Sequence, residues 1–162
     1  MKQFRIDPIG QVVDVRTATT VVAALLERSR GKVKQVCGGK GLCATCHVKV
    51  DAGMASLTPI TAREKQTLSI ISGADATSRL ACQAKVIGPG VVVNLPDGIY
   101  LSSLADVEAL VGRRTEADLL HPVSGAVLVP SGKIITRSVV LSMKNLESDV
   151  ISLIKSTNEV NI

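Results

Sequence analysis

The sequence predicts an α+β protein in two parts. Residues 1–100 are expected to form a mixed sheet with packed helices, and residues 101–162 a small C-terminal extension with a β-hairpin and a helix. Strand-like runs and capped helical segments alternate through the first part. Hydrophobic residues make up 46% of the 162-residue chain, and Phe4 and Tyr100 are its only aromatic residues, so the predicted core is aliphatic.

Five strand-like runs account for the predicted sheet. Each is rich in apolar or β-branched residues and is bounded by turn signals. The runs are Lys2–Ile6, Gln11–Val15, His47–Val50, Leu80–Val86 and Val91–Leu95. The first two flank residues 7–10, which contain a proline and a glycine, and are therefore predicted to form a β-hairpin.

Two helices are predicted between these strands. The first covers Val21–Ser29, where apolar residues at positions 21, 22, 25 and 26 share one face, and Gly31 ends it. The second begins after the N-cap residue Thr61, which forms a predicted capping box with Glu64. This helix is expected to run to about Ser72.

The extension has its own predicted elements, and it contains no cysteine and no acid–base or nucleophile constellation. They are a short helix Leu104–Val111 capped by Ser103, a polar linker 112–118, a hairpin of Gly125–Val129 and Ile134–Leu141, and a final helix Leu146–Ser156. The extension is therefore interpreted as a cover for the core or as a docking module, and self-association through it is possible.

The four cysteines are the most informative residues of the chain. Cys37, Cys43 and Cys46 have C-x5-C-x2-C spacing, and Cys82 follows 36 positions after the third. Thiolates at such spacing suit a soft metal or an iron–sulfur cluster.

The residues between the first three cysteines suit a loop that wraps such a group. Glycine permits the positive φ angles and the close backbone approach that turn amide groups inward, toward negatively charged sulfur. Small neighbours keep the chain from being pushed away. The residues predicted to line the site in this way are Gly38, Gly39, Gly41, Ala44 and Thr45.

Three other interpretations of the cysteines fit the sequence less well. A disulfide framework would require an oxidising compartment, yet the chain shows no secretory signal pattern. Zinc sites usually pair two short C-x2-C knuckles, whereas here three cysteines face a single distant one. Cys43-Ala-Thr-Cys46-His47 satisfies the haem-attachment pattern C-x-x-C-H, but haem would leave Cys37 and Cys82 unexplained.

Three stretches together resemble the [2Fe–2S] ferredoxins, and more narrowly their adrenodoxin-like branch. They are residues 37–46, the string Ser-Arg-Leu-Ala-Cys-Gln at 78–83, and the string Val-Asn-Leu-Pro-Asp at 93–97. Plant-type ferredoxins have C-x4-C-x2-C spacing. The additional residue here and the adjacent Cys46 and His47 fit the adrenodoxin-like pattern. The resemblance covers about residues 1–100.

The resemblance implies a β-grasp fold with one [2Fe–2S] cluster. Cys37 and Cys43 would hold one iron, and Cys46 and Cys82 the other, with the first iron nearer to solvent and changing valence. His47 is expected to be a hydrogen-bonded structural residue, because a Rieske site replaces two cysteines with two histidines.

The resemblance also implies a one-electron carrier, not an enzyme by itself, between a ferredoxin reductase-like donor and an unknown acceptor. The alternative is a regulatory or assembly protein whose extension binds a partner in a cluster-dependent way. The acidic docking helix of the adrenodoxin-like branch is absent, since segment 61–75 is neutral. Residues 1–100 carry 13 Lys and Arg against 7 Asp and Glu, a net charge of +6, which favours acidic partners.

Composition also bears on location and on other partners. No apolar run approaches the roughly 18 residues of a membrane span, so a soluble cytoplasmic protein is expected. The basic residues are dispersed and are not interleaved with aromatic residues, which argues against nucleic-acid binding.

Overall fold

The computed structural model describes residues 1–143 together with residues 148, 149, 152 and 155. Five strands of the first part form its main sheet: β1 Lys2–Asp7, β2 Gln11–Val15, β4 His47–Ala52, β5 Ser78–Leu80 and β7 Val91–Asn94. Their spatial order is β2-β1-β7-β4-β5. Strands β1 and β7 are parallel and the other neighbours antiparallel, so the prediction of a mixed sheet is confirmed.

The predicted N-terminal hairpin is present, with Phe4 opposite Val13 in its antiparallel register. Alternation along β1 buries Phe4 and Ile6 and leaves Arg5 exposed, as expected for a strand with one face on a core. A separate pair of short strands, β3 Thr19–Thr20 and β6 Lys85–Val86, was not predicted.

The two helices of the first part are shorter than predicted. Helix α1 spans Val21–Leu25, not Val21–Ser29, and the chain continues in turns to Gly31, whose φ is +80°. Helix α2 spans Ala62–Ile70. The Thr61 side chain accepts a hydrogen bond from the Glu64 amide at 3.2 Å, which confirms the N-cap.

The Leu80–Val86 run is not one strand. Strand β5 ends at Leu80, residues 81–83 form a turn, and β6 begins at Lys85. Cys82 therefore lies on a turn and not on a strand. Such a turn lets a side chain leave the sheet and face the cysteine loop.

The core of the first part is aliphatic, as predicted, with Phe4 and Tyr100 as its aromatic members. The extension has a second, smaller core. Its buried members are Leu101, Val107, Leu119, Val129, Ile135, Val140 and Met143.

The extension folds differently from its predicted hairpin. Its strands are β9 Leu119–Leu120 and β10 Val127–Val129, and its helices are α3 Leu104–Glu108 and α4 Arg137–Ser142. Strand β9 also pairs with β8 Ile99–Tyr100, at the end of the first part. The predicted pairing of Gly125–Val129 with Ile134–Leu141 is wrong, because β10 pairs with β9 instead. The second half of that hairpin is largely helix α4, which begins after the N-cap residue Thr136.

Helix α3 confirms the predicted start at Ser103 but ends three residues earlier than expected. The predicted final helix Leu146–Ser156 lies outside the described residues, apart from four isolated positions. Among the described residues, no helix has the length and apolar character needed to cross a bilayer.

Candidate metal centre

The structure brings the four cysteines together. Cys37, Cys43 and Cys46 lie in the loop between α1 and β4, and Cys82 lies on the turn between β5 and β6. All four are buried and none is in a disulfide. Strand β5 pairs with β4 directly after the loop, with Leu80 opposite His47, and the amide of Ala81 donates to the Cys46 carbonyl at 2.9 Å. This pairing sets Cys82 against the loop.

The thiol groups form one hydrogen-bonded network. The Cys37 sulfur contacts those of Cys43 and Cys82, and the Cys46 sulfur contacts that of Cys82. Hydrogen bonds from Cys43 and Cys82 hold the pKa of Cys37 well below its usual range, and the contact with Cys82 lowers the pKa of Cys46. The same contacts raise the pKa of Cys43 and Cys82, so all four ionise together only beside a positive charge.

Four backbone amides are directed at these sulfurs. The amides of Lys40 and Leu42 donate to Cys37, and that of Thr45 donates to Cys43. The amide of Cys82 donates to Cys46. Amide donors of this kind stabilise negative charge on sulfur.

The three loop glycines have the left-handed backbone that the sequence analysis predicted. Their φ angles are +71° at Gly38, +83° at Gly39 and +73° at Gly41. At Gly41 space is also limiting, because a Cβ atom there would lie 2.9 Å from Cδ of Gln83. Glycine therefore suits the backbone conformation here, and a Cβ atom would also displace the Gln83 side chain.

Two residues that the sequence analysis missed hold the loop from outside. Gln83 donates from Nε2 to the Gly39 carbonyl at 3.0 Å, and Thr67 of α2 donates to the Gly41 carbonyl at 2.5 Å. Gln83 follows a predicted ligand directly, which was its only sequence indication. Thr67 showed no such indication, because its contact depends on how α2 packs.

Ala44 and Thr45 are both completely buried. The Thr45 hydroxyl lies 3.0 Å from the Cys43 sulfur, donates to the Lys34 carbonyl at 3.2 Å and accepts from the Val36 amide at 3.3 Å. Thr45 is therefore a tether between the two ends of the loop, which adds to the predicted advantage of its small size.

His47 is a buried structural residue, as predicted. Its Nε2 lies 2.7 Å from the Ser78 hydroxyl, and its Nδ1 lies 3.3 Å from the Tyr100 hydroxyl. Burial, followed by the charge of Lys49, lowers the pKa of His47 to about 4. Burial, followed by the charges of Cys46 and Cys43, raises the pKa of Tyr100. Both rings are therefore neutral near pH 7.

The extension also reaches the cysteine loop. The amide of Ala44, between the second and third cysteines, donates to the Pro122 carbonyl at 2.8 Å. The amide of Ser72, just after α2, donates to the Ser124 carbonyl at 2.8 Å. These bonds involve backbone atoms on both sides, so no side-chain pattern indicated them.

Among the described residues, no group of three or more His, Cys, Asp or Glu side chains is arranged to hold one metal ion. The cysteine sulfurs instead contact one another in a continuous chain, from Cys43 through Cys37 and Cys82 to Cys46.

Residues 4–86 match the family described as "2Fe-2S iron-sulfur cluster binding domain". The chain is 38% identical over 76 residues to 2Fe-2S ferredoxin-5 of Aquifex aeolicus, which covers 46% of this chain and 79% of the relative. It is 34% identical over 89 residues to the 2Fe-2S ferredoxin of Pseudomonas aeruginosa, covering 55% of this chain and 79% of the relative.

Solved structures give the same result for the fold. The ISC-like [2Fe–2S] ferredoxin FdxB of Pseudomonas putida superposes with a TM-score of 0.54 at 27% identity, covering 59% of this chain and 93% of that one. A chain of the covalent putidaredoxin reductase–putidaredoxin complex superposes with a TM-score of 0.50 at 26% identity, covering 59% and 98%. The family match ends before the extension.

Proposed function

Because the chain belongs to the family of [2Fe–2S] iron–sulfur cluster binding domains and binds one [2Fe–2S] cluster, we propose that it is a one-electron carrier. The proposed cluster ligands are Cys37, Cys43, Cys46 and Cys82. The observation that carries this assignment is the convergence of four buried thiols into one network at which four backbone amides point.

The donor set fits the cluster chemically. Four thiolates so close together repel one another, and two ferric ions supply the compensating positive charge. The chain of sulfur contacts from Cys43 through Cys37 and Cys82 to Cys46 supports one site shared by all four thiols. A mononuclear zinc site would use the same four thiolates, and the match to a 2Fe-2S iron-sulfur cluster binding domain favours two irons with two thiolates each.

The cluster supplies a reversible one-electron change of valence, and the residues of the chain provide binding and environment. The buried loop excludes water from the sulfurs. The amides of Lys40, Leu42, Thr45 and Cys82 offset negative charge on the sulfurs, which is greatest after reduction.

The proposed electron donor is a reductase-like redox protein. The supporting comparison is the covalent putidaredoxin reductase–putidaredoxin complex, in which putidaredoxin is joined to such a partner. The net charge of +6 over residues 1–100 favours a partner with an acidic contact surface. We further propose residues 1–100 as the electron-transfer domain and residues 101–162 as an extension, through which self-association is possible. Four free thiols suit a reducing cytoplasm.

The test is an absorption and low-temperature EPR spectrum of anaerobically purified protein before and after dithionite. The wild-type chain should show an oxidised [2Fe–2S] spectrum that bleaches, together with a one-electron EPR signal in the reduced state. Cys82→Ser should leave a labile cluster or none. Thr58→Ser, away from the loop, is the control and should behave as wild type. A Cys82→Ser protein with unchanged spectrum and cluster lifetime would disprove the ligand assignment.

Electron transfer itself is tested by mixing the reduced protein with a ferredoxin reductase and by following reoxidation. Rapid, reversible exchange supports the carrier role. Slow exchange, together with cluster-dependent binding of a non-redox protein to residues 101–162, would favour a regulatory role instead.

A further inference from the structure

A turn of the extension, His121–Gly125, lies against the cysteine loop. Its Pro122 carbonyl accepts the Ala44 amide at 2.8 Å, and its Ser124 carbonyl accepts the Ser72 amide at 2.8 Å. Gly125 lies close enough that a Cβ atom there would be 3.7 Å from Cβ of Ala44. One hydrogen bond and a packing contact therefore join this turn to the cysteine loop, and the second hydrogen bond joins it to the segment after α2.

The side chain of His121 holds the turn in shape. Its Nδ1 accepts hydrogen bonds from the amides of Val123 at 3.1 Å and Ser124 at 3.3 Å. Because Nδ1 is the acceptor, the ring proton is on Nε2, which donates to Asp149 at 3.0 Å. The amide of Gly125 closes the turn on the His121 carbonyl at 2.9 Å.

The bond from Ala44 to Pro122 has an electrostatic consequence at the centre. Ala44 lies between Cys43 and Cys46, and its neighbour Thr45 directs its own amide at a cysteine sulfur. The Ala44 amide is instead engaged by the extension. An N–H group that donates to a cluster sulfur stabilises the more negative, reduced state and raises the reduction potential.

We propose that the His121–Gly125 turn is a positioning element of the metal centre. It withholds the Ala44 amide from the cluster sulfurs and covers this side of the loop, and so holds the reduction potential below the value set by residues 1–100 alone. This inference rests on the proposed cluster ligation. His121 acts through the turn and does not contact the sulfurs.

The test compares two substitutions in the full chain. His121→Ala removes the acceptor for the amides of Val123 and Ser124, so the turn should loosen and release the Ala44 amide. His121→Asn is the conservative variant, because its side-chain oxygen can take the place of Nδ1 in accepting those amides. Reduction potentials are measured by optical titration under argon, with EPR spectra of each reduced protein.

His121→Ala should have a more positive potential than wild type, and His121→Asn should be close to wild type. One hydrogen bond of ordinary strength changes the ratio of reduced to oxidised protein by about two- to tenfold, where tenfold is 59 mV for one electron. Equal potentials in all three proteins would overturn the proposal. So would a negative shift, or the same shift in both variants.

A second variant covers the case in which His121→Ala loses its cluster. Gly125 has a φ of +68°, and alanine there strains the turn without removing a hydrogen-bonding group. Gly125→Ala should then show a positive shift, and an unchanged potential would overturn the inference. If wild-type protein lacks the [2Fe–2S] spectrum, the proposed function itself has failed, which distinguishes the two outcomes.

Discussion

Arg79 and Glu64 form a fully buried ion pair beside the candidate metal centre. Arg79 Nε lies 2.8 Å from one carboxylate oxygen of Glu64 and its Nη2 lies 3.0 Å from the other, with side chains 2% and 0% exposed. Glu64 belongs to α2, and Arg79 belongs to β5, three residues before Cys82. The pair therefore connects the helix to the strand that delivers the fourth cysteine.

Removal of one member of this pair should be strongly destabilising. Arg79→Met leaves the Glu64 carboxylate buried and unpaired, which costs about 3–5 kcal/mol of unfolding free energy. Denaturant titration followed by circular dichroism measures this loss, and visible absorbance should disappear at lower denaturant concentration. The control is Lys49→Met, which removes the exposed pair with Asp75 and should cost far less unfolding free energy. Equal losses in the two variants would contradict this account.

Gly41 should be far less tolerant of substitution than Gly31. Both have left-handed backbones, with φ of +73° and +80°, but a Cβ atom at Gly31 meets nothing within 4 Å. Gly31→Ala should therefore cost only the backbone strain of about 1–2 kcal/mol. Gly41→Ala should in addition displace Gln83 from the Gly39 carbonyl and lower the iron content of purified protein. Iron and sulfide analysis measures the cluster content of the two variants. Similar cluster content in both would show that the short distance between Gly41 and Gln83 is unimportant.

The buried ring of His47 should make stability depend on pH. Its folded pKa of about 4 lies below the unfolded value of about 6.5, so the unfolded chain takes up the proton first as pH falls. The contribution of the neutral ring to the free energy of unfolding is fully present above pH 6.5 and is lost as the pH falls toward 4. Between pH 7.5 and pH 5.5, the temperature of thermal unfolding should fall further for wild type than for His47→Asn. His121→Asn, which changes the only other histidine, is the control and should keep the wild-type drop.

Reduction by a reductase with an acidic surface should slow as salt is added. The net charge of +6 over residues 1–100 attracts such a partner, and salt screens the attraction. Stopped-flow rates at increasing NaCl test this. Lys32→Glu, five residues before Cys37, should lower the rate more than Lys133→Glu in the extension. A rate that rises with salt would indicate a basic partner surface.

Features that depend on residues close together in the sequence were predictable. They are the cysteine spacing, the N-terminal hairpin and the turn at Gly31. Glu64 shows where local patterns mislead. Its position three residues after Thr61 fits a capping box, but its carboxylate forms the long-range pair with Arg79. A buried partner fifteen residues away outweighs a solvent-exposed capping bond.

The extension was predicted less well for a related reason. The segment 134–141 has the apolar residues of a strand, yet Thr136 caps a helix within it. Strand β10 pairs instead with β9, Leu119–Leu120, which is too short to show any periodicity in the sequence. The hydrogen bond between the Ala44 amide and the Pro122 carbonyl joins two backbone groups, so no side-chain pattern in the sequence indicated it.

The parallel pairing of β1 with β7 bears on when the protein can mature. A nascent chain that has left the ribosome up to residue 90 already carries all four cysteines but lacks Val91–Asn94, the strand that lies between β1 and β4. Until that strand emerges, β1 and β4 have no strand between them, although the short pair β3 and β6 already joins the two halves of the chain. All four thiols are thus made before the sheet beside them can close.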